Sequence, residues 1–204
     1  KNQTWTLWGK VVLACIPSAV VGLPLNDWMD EHLMNPWVVA AALIVYGVGF
    51  LVIENQRRTP AIRRTSDLTW QTALLIGLFQ TLSIIPGTSR SGATILGAII
   101  IGCARPVAAE FSFFLAIPTM VGVSILKLGK FFVEKLAAGE PFFTGEEAAI
   151  LAVGFVVSFL VSVVCIRFLM DFVKKHDFKI FGWYRIVLGI LVLLFFGIRA
   201  LVAA

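Results

Sequence analysis

The sequence predicts an all-α polytopic membrane protein, and its composition carries most of that prediction. Of the 204 residues, 59% are hydrophobic, and the mean hydropathy is +0.92, far more apolar than a soluble domain. The net charge of +5 comes from basic residues that fall mostly in short clusters between apolar stretches, a pattern typical of membrane topology. We therefore expect one integral-membrane domain over residues 1–204, in contact with membrane lipids and not with nucleic acid.

Five long apolar stretches alternate with polar loops along the chain, and each is predicted to be a membrane helix. A spanning helix needs roughly 20 mostly apolar residues. The second stretch begins with proline near its first turn, where proline is well tolerated, and Pro118 predicts a kink in the third. The five stretches are residues 11–25, 36–53, 107–133, 148–170 and 180–202.

Two further apolar stretches follow one another closely: residues 69–83 are too short to cross the membrane and return, and residues 93–103 are also short. A polar break joins them, so we predict a re-entrant helical hairpin at about residues 69–103. The positive-inside rule agrees, because the basic loops share one side only if this segment enters and leaves on the same face. The residues predicted on the cytoplasmic side are Arg57, Arg58, Arg63, Arg64, Arg105, Lys174, Lys175 and Lys179.

The polar break has the composition of an anion site. It reads IPGTSRSGAT over residues 85–94. Pro86 and Gly87 end any helix that arrives from the N-terminal side, and the hydroxyls that follow stand where a new helix begins. The free N–H groups and the positive dipole end of a helix start attract anions, and Arg90 adds a planar fork that matches phosphate oxygens. An arginine this deep in an apolar chain is a functional hypothesis by default.

Each candidate also has a structural alternative. The alternative for Arg90 is a structural role in which its side chain caps carbonyls in the hairpin turn. The alternative for Ser89 and Thr94 is that of ordinary helix N-caps. Gly87 and Gly92 suit backbone geometry.

Three polar residues outside the break stay open between the site and a structural role. Gln80 contacts either the site or a neighbouring helix, Glu110 is a functional carboxylate or an interfacial one, and Ser112 serves the site or helix packing. Arg167 and Arg185 lie near span ends, where we expect them to snorkel to the interface.

With these residues identified, the chain resembles the undecaprenyl-diphosphate phosphatase family, the membrane enzymes associated with bacitracin resistance. The resemblance rests on QTLSIIPGTSRSGAT (residues 80–94), AEFSF (109–113) and AIP (116–118). It implies one part of an inverted-repeat fold, and hydrolysis of undecaprenyl diphosphate to undecaprenyl phosphate and phosphate, which recycles the lipid carrier for cell-wall synthesis. It also implies that the protein is located in the bacterial cytoplasmic membrane and that its active site opens to the outer face. The implied cofactor is a divalent cation, Mg²⁺ or Ca²⁺.

The resemblance also assigns roles to residues. Arg90 and Ser89 are implied as catalytic, with Arg90 binding the diphosphate. The implied substrate-binding residues are Gly87, Thr88, Ser91, Gly92, Thr94, Gln80, Glu110 and Ser112.

The family's first hairpin, with its E-x-x-x-E motif and its Ser-Thr-Gly-His run, does not occur in this sequence. We therefore expect the metal-binding carboxylates to lie outside these 204 residues, and little hydrolysis from this segment alone. A homodimer is a further expectation. The alternative function is a lipid-phosphate transporter or flippase, because broken helices with a midplane anion site also build transporters.

Overall fold

A computed structural model describes residues 2–56, 59–139 and 143–203. Within these residues the chain forms seven α-helices, and no strand beyond one isolated β-bridge. Short 3₁₀ turns at Thr65–Asp67 and Leu82–Ile84 flank the third helix. The helices are α1 Asn2–Leu33, α2 Pro36–Asn55, α3 Trp70–Thr81, α4 Arg90–Ile101, α5 Arg105–Ala138, α6 Gly145–Lys175 and α7 Lys179–Ala203.

Five of the described helices are long and apolar enough to cross a membrane, which confirms the predicted fold class. These segments are Gln3–Gly22, Pro36–Asn55, Arg105–Ala138, Gly145–Lys175 and Lys179–Val202. Each spans at least 18 residues and has few charges, so its backbone polar groups are satisfied inside the helix as a bilayer demands. The chain is a multi-pass membrane protein.

Several helices run further than their apolar stretches predict. α1 continues past Pro24 to Leu33, so the chain that follows the predicted stretch 11–25 is helical and does not form one of the predicted polar loops. α5 likewise continues to Ala138 and α6 to Lys175. Good helix formers such as Glu, Lys, Leu and Ala extend these helix ends into polar sequence. Hydropathy does not detect such extensions, because it indicates only how long the apolar part of a helix is. Arg57, Arg58 and Glu140 lie outside the described residues.

The predicted hairpin corresponds to α3 and α4, which pack against each other. Each has 12 residues, or roughly 18 Å of helix, too short to cross a bilayer of about 30 Å. The two ends of the hairpin are tied together, because the Ala104 N–H donates to the Ile62 carbonyl at 2.8 Å and the Ile62 N–H donates to the Gly102 carbonyl at 3.1 Å. The segment thus begins and ends at one end of the molecule. Its re-entrant placement in a bilayer and the inverted repeat stay predictions.

This end of the molecule, here called the basic end, carries Arg63, Arg64, Arg105, Lys174, Lys175 and Lys179. Its central contact is an ion pair in which the Arg105 guanidinium donates to both oxygens of the Glu54 carboxylate. The Phe178 N–H also donates to Glu54, at 3.3 Å. Because Glu54 ends α2 and Arg105 begins α5, the carboxylate joins three segments that are distant in the sequence.

The hairpin lies between two groups of helices. α2 packs along α7 on one side, and α1 packs against α3 and α5 on the other. The buried core runs through the hairpin and includes Val11, Ile76, Phe111 and Leu115. α6 packs mainly on α5 and leaves a long apolar face exposed. The arrangement places the start of α4 between these groups of helices, where Ser89 and Arg90 are half-buried and Ser91 is exposed.

Candidate functional site

The start of α4 has the geometry that the sequence predicts. The Ser89 side chain is the N-cap, and its Oγ accepts a hydrogen bond from the Gly92 N–H at 3.1 Å. Gly87 has a φ of 85°, in the left-handed region that favours glycine. A Cβ at Gly87 would lie 2.6 Å from the Val39 carbonyl oxygen of α2. The turn is therefore pressed closely against a neighbouring helix, and α4 begins directly after it.

A cavity of about 120 Å³ opens beside this helix start. Part of its lining is polar, with the hydroxyls of Ser89, Ser91 and Ser112, and the Ser89 and Ser91 oxygens lie 3.1 Å apart. Most of the other lining residues are apolar, and four of them are phenylalanines. These other residues are Phe50, Gly92, Ile95, Ala109, Phe113, Leu169, Val173, Phe178, Phe181 and Arg185. A cavity of this kind suits a ligand with an anionic head and an apolar tail.

Arg185 of α7 contributes the cationic group of the cavity, and the expectation that it snorkels to the interface is wrong. Its guanidinium lies 5.9 Å from the centre of the Tyr46 ring. Its Nη1 is buried and has no hydrogen-bond partner among the described residues. A Cβ at Gly92 would lie 3.4 Å from that nitrogen, so the glycine leaves room for it. The helix buries Arg185 because α7 packs on α2 beside the hairpin.

Arg90 occupies a different side of the same helix start. It does not line the cavity, and it lies within electrostatic reach of Cys15 on α1. Its Nη1 is also buried without a hydrogen-bond partner in the described part of the chain. A buried unpaired donor is costly, and a guanidinium more so. Two arginines with unused donors thus flank the start of α4, which is the arrangement expected of an anion site.

Thr94 and Ser112 form a polar link behind the cavity. The Thr94 hydroxyl lies 2.5 Å from the Ser112 hydroxyl, and it donates towards the carbonyls of Arg90 and Ser91, each at 3.1 Å. Thr94 is 1% exposed, so its hydroxyl is enclosed by protein. Ser112 reaches the cavity wall. The structure therefore brings Ser112 to Ser89 and Ser91, whereas Thr94 holds α4 against α5.

Gln80 faces neighbouring helices. Its Nε2 donates to Ser18 Oγ of α1 at 2.7 Å and to Thr119 Oγ1 of α5 at 3.5 Å. Both hydroxyl residues follow a proline, Pro17 and Pro118. Of the two alternatives for Gln80, the structure favours the helix contact, although its Oε1 is buried and unpaired among the described residues.

Two further predicted residues lie away from the cavity. Thr88 is buried beside Tyr46. Glu110 accepts a hydrogen bond from the Thr65 hydroxyl at 2.5 Å, next to the loop at the basic end, and does not line the cavity. The structure thus does not bring Glu110 to Ser89 and Arg185, and its substrate-binding role stays a prediction.

The donor set of the cavity fits an anion and does not fit a divalent cation. Hard cations such as Mg²⁺ and Ca²⁺ take carboxylate and carbonyl oxygens, and none of the described residues that line the cavity carries a carboxylate. In the part of the chain that the structure describes, no group of three or more His, Cys, Asp or Glu side chains is placed to hold a metal. Guanidinium and hydroxyl groups define the chemistry of this site.

The fold is that of a polytopic membrane protein, with a candidate anion site at the start of a short internal helix. The family model described as bacitracin resistance protein BacA matches residues 1–191. The chain belongs to this BacA family.

Curated relatives are similar along nearly the whole chain. A protein of Latilactobacillus sakei is 64% identical over 195 residues, covering 95% of this chain and 69% of that protein. A protein of Lactiplantibacillus plantarum is 63% identical over 198 residues, with 96% and 70% covered, and one of Enterococcus faecalis is 55% identical over 196 residues, with 95% and 68% covered. All three relatives are named undecaprenyl-diphosphatase.

Proposed function

We propose that this protein is an undecaprenyl-diphosphatase. It removes the terminal phosphate of undecaprenyl diphosphate and yields undecaprenyl phosphate, the lipid carrier used again in cell-wall synthesis, and this recycling confers bacitracin resistance. The observation that carries the proposal is a pair of arginine nitrogens beside the start of α4: Nη1 of Arg90 and Nη1 of Arg185 are each buried without a hydrogen-bond partner among the described residues. The names of the relatives describe hydrolysis, which favours a phosphatase over a lipid transporter.

The diphosphate binds at the start of α4 in this proposal. The first N–H groups of a helix have no intrahelical partner, and with the helix dipole they attract phosphate. Ser89 and Ser91 hydroxyls hydrogen-bond the non-bridging oxygens, and Arg185 reaches the same cavity. Arg90 approaches from the side of α1. The phosphate thereby meets two positive charges, one on each side.

Hydrolysis of the diphosphate needs positioning and charge neutralisation more than covalent chemistry. A water oxygen attacks the terminal phosphorus while the anhydride P–O bond breaks. The water oxygen stays on the released inorganic phosphate, the bridging oxygen leaves with the lipid monophosphate, and the proton that the water loses passes to a phosphate oxygen or to solvent. Arg90 and Ser89 stabilise the charge that develops on the phosphoryl oxygens, an electrostatic contribution typically worth several kcal/mol, on the order of 3 per donor. Because these groups are fixed before the reaction, little reorganisation opposes it.

The apolar end of the cavity receives the first part of the polyprenyl tail. Phe113, Phe178 and Phe181 line it, and apolar contact with them stabilises the tail by roughly 25 cal/mol per Å² buried. The rest of a long tail extends into the surrounding lipid. The amphipathic shape of the cavity therefore matches an isoprenoid diphosphate better than a free diphosphate.

The membrane placement is part of the same proposal. By the positive-inside rule the basic end faces the cytoplasm of a bacterial inner membrane, and the diphosphate site opens to the outer face. A divalent cation, Mg²⁺ or Ca²⁺, and a homodimer are also proposed. Because the described residues that line the cavity include no carboxylate, we assign the ligands of the cation to residues other than these.

The test is phosphate release from undecaprenyl diphosphate by the full natural chain purified in detergent, with and without Mg²⁺ or Ca²⁺. Arg90→Ala is compared with Arg167→Ala, which removes an exposed arginine of α6. We expect Arg90→Ala to lose phosphate release by a factor of about 100 or more while Arg167→Ala retains it. If the protein bound the lipid diphosphate but released no phosphate, the proposed hydrolase function would be wrong and a transport function would be favoured.

A further inference from the structure

A second cavity, of about 290 Å³, lies at the basic end. The end of α2, the loop before α3, the start of α5 and the end of α6 surround it. It shares only Val173 with the cavity beside Ser89, and no step of the proposed hydrolysis uses it. Its lining residues are Ile53, Glu54, Pro60, Ile99, Cys103, Ala104, Arg105, Pro106, Val173 and Lys174.

Arg105 is held in a fixed orientation within this cavity. Its Nε and Nη2 both donate to Glu54, whose side chain is 3% exposed, while the Arg105 side chain is 44% exposed. The Phe178 N–H, donating to the same carboxylate, helps to hold Glu54 in place. Nη1 of Arg105 makes no hydrogen bond with the described residues. The guanidinium is therefore oriented by one anion and has donors left for a second.

Lys174 adds a second, more exposed cation to the cavity. Its ammonium group lies 3.8 Å from the Asp171 carboxylate, and both side chains are largely exposed. An exposed pair of this kind contributes little, so Lys174 can turn towards an anion at low cost. The bridge between Ile62 and Cys103 also fixes the loop that carries Arg63 and Arg64 at this end. Arg105 of α5 and Lys174 of α6 thus line the cavity together.

The walls of the cavity are mostly apolar. Seven of its ten lining residues are Ile, Val, Pro, Ala or Cys, including Ile53, Ile99 and Val173. A site for free phosphate needs polar residues on all sides. Apolar walls beside two cations instead suit a phospholipid, in which the phosphate is joined to acyl chains. Basic pockets between membrane helices on the cytoplasmic side are typical sites for anionic lipid head groups.

We propose that this cavity binds the phosphate group of an anionic phospholipid from the leaflet at the basic end. Nη1 of Arg105 and the ammonium group of Lys174 contact the phosphate oxygens, and Ile53, Ile99 and Val173 contact the first acyl carbons. Because the cavity is bounded by α2, α5 and α6, a bound lipid braces the segments that meet at Glu54. The site is structural and independent of the hydrolytic site.

The experiment is native mass spectrometry of the full natural chain in detergent, titrated with phosphatidylglycerol. Lys174→Gln is the main variant, because Lys174 is exposed and its loss leaves the Glu54–Arg105 pair intact. Lys130→Gln, an exposed lysine in an i,i+4 pair on α5, is the matched control. We expect Lys174→Gln to bind phosphatidylglycerol about fivefold more weakly, the effect of about 1 kcal/mol per basic residue, and Lys130→Gln to match the wild type.

Three results would overturn the proposal. Equal affinity of Lys174→Gln and the wild type excludes the cavity as the site. Equally tight binding of phosphatidylcholine indicates an apolar groove without charge selectivity. Displacement of the lipid by an excess of inorganic phosphate indicates a free-phosphate site. Phosphate release by Lys174→Gln, measured in parallel, should equal that of the wild type, which keeps this test separate from that of the hydrolase.

Discussion

The hydroxyl oxygens of Thr94 on α4 and Ser112 on α5 lie 2.5 Å apart, and both side chains are buried. This link joins the helix that begins at the anion site to the long helix beside it. In an apolar interior each hydroxyl is the other's partner, so neither is left unpaired. The position of Ser112 on the cavity wall therefore depends on Thr94, a residue that the cavity does not touch.

Thr94→Val tests this link, because valine keeps the shape of threonine and removes the hydroxyl. We expect the free energy of unfolding to fall by about 1 kcal/mol, and phosphate release to fall with it as Ser112 loses its partner. Thr94→Ser, which keeps the hydroxyl, should retain most of the activity. The measurements are thermal unfolding in detergent and the rate of phosphate release. Wild-type stability and activity in Thr94→Val would refute the link.

Gly87→Ala is expected to disrupt the turn before α4. Its φ of 85° is unfavourable for alanine, and the added Cβ would lie 2.6 Å from the Val39 carbonyl oxygen. Gly139→Ala is a matched control, because Gly139 also has a positive φ, 66°, but open space around it. Thermal unfolding should show that Gly139→Ala costs about 1 kcal/mol and that Gly87→Ala costs clearly more. Equal costs would mean that the contact with α2 is unimportant.

The sequence was sufficient for the lipid-facing architecture, the helix break and the start of α4. Each of these features has a local cause in the sequence. The length of the apolar stretches predicts the membrane helices, Pro86 and Gly87 predict the helix break, and Ser89 is the N-cap that begins α4. The ends of α1, α5 and α6 were predicted too short because hydropathy does not measure helix propensity in polar segments.

Long-range contacts account for what the sequence did not reveal about the site. Arg185 is 95 residues from Arg90 by number, and only the packing of α7 on α2 brings it to the cavity. A signal was available, since Arg185 lies two turns inside an apolar helix, and an intramembrane arginine is a functional candidate. The placement of Glu110 beside Thr65 likewise depends on a loop whose path no local pattern specifies.

Gln80→Leu distinguishes a helix contact from substrate binding. The Gln80 amide donates to Ser18 and Thr119, so its loss should lower the free energy of unfolding by about 1 kcal/mol. At temperatures where the variant is folded, we expect KM for undecaprenyl diphosphate to stay within about twofold of the wild type. Gln71→Leu, at an exposed position of α3, should change neither quantity. A large rise in KM with unchanged stability would instead place Gln80 in the substrate site.

Cys103 provides a pH-dependent test of the packing at the basic end. Burial raises the pKa of its thiol to about 11, above the usual value of roughly 8.5. In a variant with Cys15→Ala and Cys165→Ala, alkylation by iodoacetamide should be slow at about pH 8 and rise roughly tenfold per pH unit to about pH 10, since the thiolate is the nucleophile. A rate that levels off near pH 9 would contradict the buried environment.

The most direct test of the account is the rate of phosphate release from undecaprenyl diphosphate by Arg185→Ala, measured beside Arg167→Ala. Both variants remove one arginine from an apolar helix, but only Arg185 reaches the cavity with Ser89 and Ser91. The account predicts a loss of about 100-fold or more in kcat/KM for Arg185→Ala, with near wild-type activity for Arg167→Ala. Equal activity in the two variants would contradict the claim that this cavity binds the diphosphate.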